Sequence, residues 1–126
     1  MYDQTGQGVV AIVDDDDAVR DSLGFLLEVI GHKVATFASA AEFLRADLRR
    51  FGCLILNHHM PRMTGLELAK RLRTDGSLIP ILLITGSPSP SLAALAAELG
   101  VNRVLEKPPG EDDVIDFITT TRERGF

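Results

Sequence analysis

Five short apolar runs, each followed by a longer stretch of helical period, limit the fold of this chain more than any other feature. The runs occupy residues 9–13, 33–37, 53–56, 81–84 and 103–105, and their starts lie 24, 20, 28 and 22 residues apart. Parallel strands need a long crossover, usually a helix, and each interval has room for one. The first, third and fourth runs are apolar at nearly every position. Strands covered on both faces look like that, whereas half-exposed strands alternate.

The intervening segments supply the helices. Val19, Leu23, Leu26, Leu27 and Ile30 recur at i, i+4, i+7, i+8 and i+11, and Gly31 then offers a stop. Ser39 and Glu42 have capping-box spacing and open a second helix, expected to run toward Arg50 with Gly52 beyond it. Leu66, Ala69, Lys70, Leu72 and Arg73 suit a third helix ended by Asp75-Gly76. Leu92, Leu95, Ala96 and Leu99 suit a fourth closed by Gly100, and Val114, Ile115 and Ile118 a fifth. Five strand–helix units in a row predict one α/β sandwich on a parallel sheet. Its expected extent is residues 9–122, after a frayed leader over 1–8 and before a short tail over 123–126. A length of 126 residues suits one domain.

Composition narrows the function classes. Apolar residues make up 45% of the chain and charged residues 25%, a globular balance that excludes wholesale disorder. The single cysteine, Cys53, rules out an internal disulfide and suits a reducing cytosol, so a cytoplasmic location is expected. A net charge of −5 with no Lys/Arg-rich run argues against a nucleic-acid partner. No apolar run nears the ~20 residues of a membrane span. The first eight residues lack the basic and apolar regions of a signal peptide.

Ligands of open parallel sheets bind outside the carboxyl ends of the strands. There the sequence places Asp14-Asp15-Asp16-Asp17, Asn57-His58-His59-Met60-Pro61, Thr85-Gly86-Ser87 and Glu106-Lys107-Pro108. Asp16 and Asp17 are candidate helix N-caps. Asp14 and Asp15 sit at the strand end itself, where carboxylate oxygens suit a hard divalent cation such as Mg²⁺. A solvated acidic turn is the competing reading. Lys107 is a candidate point charge for those carboxylates or for a bound phosphoryl group, against a plain surface lysine. Thr85 is a candidate hydroxyl donor to a ligand oxygen, or a cap of its own loop. Gly86 leaves space beside it. Cys53 opens a buried strand and reads as an inert core thiol.

Taken in order, Val13-Asp14-Asp15-Asp16, Met60-Pro61-Arg62-Met63-Thr64-Gly65-Leu66-Glu67-Leu68, Ile84-Thr85-Gly86 and Glu106-Lys107-Pro108 resemble the receiver domain of bacterial response regulators. This is the CheY-like family, and its FixJ-like branch in particular. The resemblance covers residues 9 to 120. It implies a (βα)5 three-layer sandwich of the CheY/flavodoxin kind, with strand order 2-1-3-4-5. It also implies a phosphoryl switch in a two-component pathway, in which a sensor histidine kinase or other two-component protein is the partner. The phosphoryl group passes to an aspartate at the end of the third strand. On this resemblance Asp14 and Asp15 hold Mg²⁺, with the His59 backbone carbonyl as a third ligand. Thr85 and Lys107 hold the phosphoryl oxygens, and the Lys107–Pro108 bond is cis. The fourth helix, fifth strand and fifth helix form the partner surface, a candidate homodimer face. The alanines of that helix (Ala93, Ala94, Ala96, Ala97) allow close approach, or simply reflect helix propensity.

The chain departs from the family twice. Three residues before Met60-Pro61, where the acceptor aspartate belongs, stands Asn57. A carboxamide is uncharged and a poor nucleophile, so acyl-phosphate chemistry there is expected to be absent. With one anionic ligand fewer, Mg²⁺ is expected to bind weakly. The aromatic readout residue is also missing from Arg103-Val104-Leu105, which leaves Val104 at the switch position beside Thr85. The expected function is that of a stand-alone, non-enzymatic receiver domain acting through protein–protein contacts. Two mechanisms remain open: a pseudo-receiver adaptor that is never phosphorylated, or an Asp-to-Asn variant of a normal phosphoacceptor. His58 and His59 sit in the acceptor loop, and His59 is a candidate for tuning the site or, with Asp14, Asp15 and Asn57, for taking a transition metal, against the plainer reading of two loop histidines. A Mg²⁺-dependent phosphatase with an aspartate nucleophile is a weaker alternative, because Ala18 follows the aspartates and no Ser or Thr lies between them and Ser22. A flavodoxin-like cofactor binder is disfavoured, since four carboxylates would repel a phosphate from its loop.

Overall fold

Residues 8–123 are described by a computed structural model; residues 1–7 of the expected leader and residues 124–126 of the expected tail lie outside them. The elements run β1 (Val9–Val13), α1 (Asp17–Val29), β2 (Val34–Phe37), α2 (Ala40–Leu44), a 3-10 turn (Leu48–Arg50) and β3 (Phe51–Asn57). They continue with α3 (Gly65–Thr74), β4 (Ile81–Thr85), α4 (Pro90–Glu98), β5 (Arg103–Glu106) and α5 (Glu111–Glu123). All strand pairs are parallel, in the order β2-β1-β3-β4-β5 expected from the family resemblance.

Successive strand residues face opposite sides of the sheet, and both sides are covered. Ala11, Val13, Leu54, Leu56, Ile81 and Leu83 pack with Phe43, Leu68, Leu72 and Ala96, from α2, α3 and α4. Val10, Ile12, Cys53, Ile55, Leu82 and Ile84 pack with Leu23, Leu27, Val114, Phe117 and Ile118, from α1 and α5. Each fully buried Leu or Ile contributes roughly 1.5–3 kcal/mol. The central strands therefore stay apolar until their carboxyl ends, where the polar residues begin. Cys53 is fully buried, and burial pushes its thiol up to about 12, as expected of an inert core residue.

Helix ends follow local chemistry. Asp16 caps α1 by accepting from the Ala18 and Val19 N–H groups, at 2.9 and 3.2 Å. Asp17 is not a cap but the first helical residue, and it pairs with Arg20. At the other end Gly31 takes φ +101°, so that its N–H reaches Glu28 O at 3.0 Å and the His32 N–H reaches Leu27 O at 3.0 Å. Only glycine adopts that conformation without steric cost. The same bonding closes α3 at Gly76 and α4 at Gly100.

Three expectations are corrected. The second helix does not run to Arg50 but stops at Leu44. Asp47 accepts from the Arg49 N–H and starts a separate 3-10 turn, which frees Phe51 to enter β3 against Phe37 and Phe43, with ring centroids 5.7 and 5.4 Å away. Gly52 is not a helix stop but lies in a register shift, since Val9 faces Phe51 and Val10 faces Cys53. Two residues of the apolar periods are solvent-facing. Ile30 is the C-cap of α1 at 43% exposure, and Leu95 on α4 is 51% exposed.

Arg73 ties two helices together. Its guanidinium donates to Leu99 O (2.7 Å), Ser77 O (3.0 Å) and Gly100 O (3.1 Å), so it caps α4 from α3. Arg73→Met keeps the apolar stem but removes all three charge-assisted bonds. The expected loss is roughly 2 kcal/mol, read by urea unfolding.

Candidate functional site

Strand register brings the polar residues to one edge. Val13, Leu56, Leu83 and Val104 form a row across the sheet, and Asn57, Ile84 and Leu105 form the next. One step further, Thr85 faces Glu106. Asp14, Asn57, Thr85 and Lys107 thus end four neighbouring strands, as the sequence predicts. The Lys107–Pro108 bond is cis. Val104 is half-buried against the cluster beneath α3 and α4.

Asp14 is 2% exposed. Its Oδ1 accepts the Asp16 N–H at 2.9 Å, and its Oδ2 lies 3.6 Å from the Lys107 Nζ. Arg20 donates to its backbone carbonyl at 2.7 Å. Burial raises the Asp14 pKa above its ordinary 3.8, opposed by the Asp16 N–H and the Lys107 charge. A raised folded pKa makes the group's contribution to stability largest in acid and lost as pH rises through that pKa. At neutral pH the ionised side chain therefore costs stability. Asp14→Asn keeps an acceptor for Asp16 and removes the charge. It is expected to raise stability by about 1 kcal/mol, seen as a higher urea midpoint at unchanged slope.

Asn57 is 4% exposed. Its Nδ2 donates to the His59 backbone carbonyl at 2.9 Å and to Asp15 Oδ1 at 3.3 Å. Thr85 is fully buried; its Oγ1 accepts the Ser87 N–H at 3.0 Å and lies 3.2 Å from His59 Nε2. The structure thus brings Asp14, Asp15, Asn57, the His59 carbonyl, Thr85 and Lys107 to one edge, and leaves Val104 one row below it.

The two histidines, stacked edge to face at 4.9 Å, are turned to separate tasks. His59 meets Thr85, while His58 Nδ1 accepts the Leu66 N–H at 3.3 Å, at the start of α3. Among the described residues, no cluster of three or more His, Cys, Asp or Glu is placed to hold a metal ion. Sequence spacing gave no hint that His58 would cap a helix that starts seven residues later.

Burial and the neighbouring His59 charge lower the His58 pKa below 6.5, opposed by the Glu67 carboxylate. Burial and the Arg122 charge lower that of His32. For a histidine with a depressed folded pKa the unfolded chain binds more protons, so stability rises with pH in that window. Stability is therefore expected to be full above about pH 6.5 and to fall as pH drops below it. Thermal melts across that range check this, and His58→Gln should flatten the slope.

The sequence pattern of the response regulator receiver domain family matches residues 10–119. The transcriptional regulatory protein FixJ of Bradyrhizobium diazoefficiens is 44% identical over 86% of this chain and 53% of its own length. The FixJ of Azorhizobium caulinodans is 46% identical over 91% of this chain and 55% of its own length. The chain thus spans about half the length of these curated relatives. The crystal structure of FixJ-N superposes with a TM-score of 0.83 at 35% identity, covering 94% of this chain and 96% of that one. No helix among the described residues is long and apolar enough to cross a membrane. With the expected topology, the converging polar edge and these relatives, the chain belongs to the response regulator receiver domains of two-component signalling.

Proposed function

We propose that this chain is a pseudo-receiver: a signalling unit that binds two-component partners, a sensor histidine kinase first among them, without carrying a phosphoryl group on residue 57. One observation supports this above the others. The end of β3, flanked by Asp15 and by the His59 carbonyl, carries a carboxamide whose nitrogen faces both. A carboxamide does not attack phosphorus as a carboxylate does. Thr85 and Lys107 keep the phosphoryl-contacting positions, and Val104 takes the readout position without a ring to swing. Contacts would be made by surface shape in one fixed state. The face of α4, β5 and α5, with exposed Leu95 on α4, is the candidate homodimer surface. An open groove of about 530 Å³ beside Lys107, lined by Val19, Leu23, Leu26, Pro108 and Pro109, offers apolar area to a partner helix. Receiver domains signal rather than turn over substrate, and no enzymatic activity is proposed.

The test uses a purified, autophosphorylated sensor histidine kinase. Label is expected to pass to the Asn57→Asp variant and not to the chain as it stands, while the two compete equally for the kinase. Label on the unmodified chain, or its failure to compete, overturns the proposal.

A further inference from the structure

The oxygens at this edge pose a problem of electrostatics. Asp14 and Asp15 follow each other at the end of β1, and the His59 carbonyl faces the same spot from the β3–α3 loop. Crowded oxygens of that kind need a positive or hydrogen-bearing group between them. Asp14 finds its own: the Asp16 N–H on Oδ1 and the Lys107 ammonium near Oδ2. Asp15 and His59 are joined by Asn57, whose Nδ2 lies 3.3 Å from Asp15 Oδ1 and 2.9 Å from His59 O.

Ionised carboxylates and peptide carbonyls only accept hydrogen bonds. The end of the carboxamide that sits between them is therefore its NH₂ group, whose two protons match the two acceptors. The orientation follows from the partners rather than from the shape of the amide. The oxygens that the family resemblance offers to Mg²⁺ already receive donors from this chain. As it stands, this donor set does not fit a divalent cation. For the Asn57 oxygen to face a cation the amide would have to turn over, and both hydrogen bonds would be lost.

We infer that the Asn57 carboxamide replaces the divalent cation of a receiver domain, tying the β1–α1 loop to the β3–α3 loop and making the folded site independent of Mg²⁺. The inference deepens the proposed function and rests on residue 57 lying in the receiver's acidic pocket. A single polar side chain would thus perform permanently what a bound ion performs reversibly. The loops at this edge are then held in one arrangement whatever the metal supply.

Thermal unfolding of the whole chain tests this, with Asn57→Asp and Asn57→Ala alongside, in millimolar MgCl₂ and in NaCl of equal ionic strength. The unmodified chain is expected to melt at the same temperature in both. Asn57→Asp, with three carboxylates and no amide, is expected to melt several degrees lower in NaCl and to recover in MgCl₂, since a ligand that binds only the folded state raises its stability. Asn57→Ala is expected to melt lower in both salts. Circular dichroism checks that each variant folds. A Mg²⁺-dependent rise for the unmodified chain overturns the inference. So does an Asn57→Ala melt equal to that of the unmodified chain. No kinase or phosphodonor is present, so failure here is distinct from failure of the signalling proposal, which label transfer alone reports.

Discussion

Gly65→Ala is expected to lower stability by about 3 kcal/mol, a fall of roughly 10 °C in melting temperature for a domain of this size. Gly65 is the first residue of α3, and its N–H donates to His58 O at 2.8 Å. A Cβ there would lie 2.6 Å from Asn57 O, 2.8 Å from Leu83 Cδ1 and 2.9 Å from His58 Cα. Two of those atoms are backbone at the end of β3, so relief requires α3 to move off the sheet. That movement would also disturb the Leu66 N–H on His58 and with it the loop that carries the His59 carbonyl. Gly86→Ala is the control: nothing lies within 4 Å of its Cβ, and its melting temperature should not change. If Gly65→Ala melts with the parent, the close approach of helix and strand is not a determinant of the fold.

Asn57→Asp is expected to convert the chain from one that takes no phosphoryl group to one that takes a single group from a small phosphodonor in the presence of Mg²⁺. The surrounding parts are in place: Lys107 close to Asp14, Thr85 fully buried at the end of β4, and the strand ends in register. A carboxylate at residue 57 supplies the nucleophilic oxygen that the amide lacks. His59 opposes this, since its ring already engages the Thr85 hydroxyl at 3.2 Å. Labelling of Asn57→Asp should accordingly be slower than that of the double variant Asn57→Asp, His59→Ala. Intact mass over time reports both rates. A variant that stays unmodified would show that the loss extends beyond residue 57.

Much of this architecture is legible in the sequence because its causes are local. Gly31, Gly76 and Gly100 end three helices through a backbone conformation that other residues resist, and the fully apolar strands announce a sheet covered on both sides. The edge residues Asp14, Asn57, Thr85 and Lys107 come together because parallel register leaves little freedom once the strands are placed. What escaped the sequence depends on contacts between distant segments. The second helix is cut short by the packing of Phe37, Phe43 and Phe51, which periodicity does not contain. Leu95 fits the apolar period of α4 yet faces solvent, because only Ala96 of that helix is fully buried. His58 as a cap, Arg73 as a clamp and the two acceptors of Asn57 all require the folded loops. The sequence marked Asn57 as a loss, whereas the structure shows what its amide holds.

Incubation of the unmodified chain with acetyl phosphate and Mg²⁺, followed by intact-mass measurement, decides whether residue 57 is silent. A mass unchanged under conditions that label Asn57→Asp is the predicted result. An added phosphoryl group mapped to the edge formed by Asp14, Asn57, Thr85 and Lys107 would contradict it.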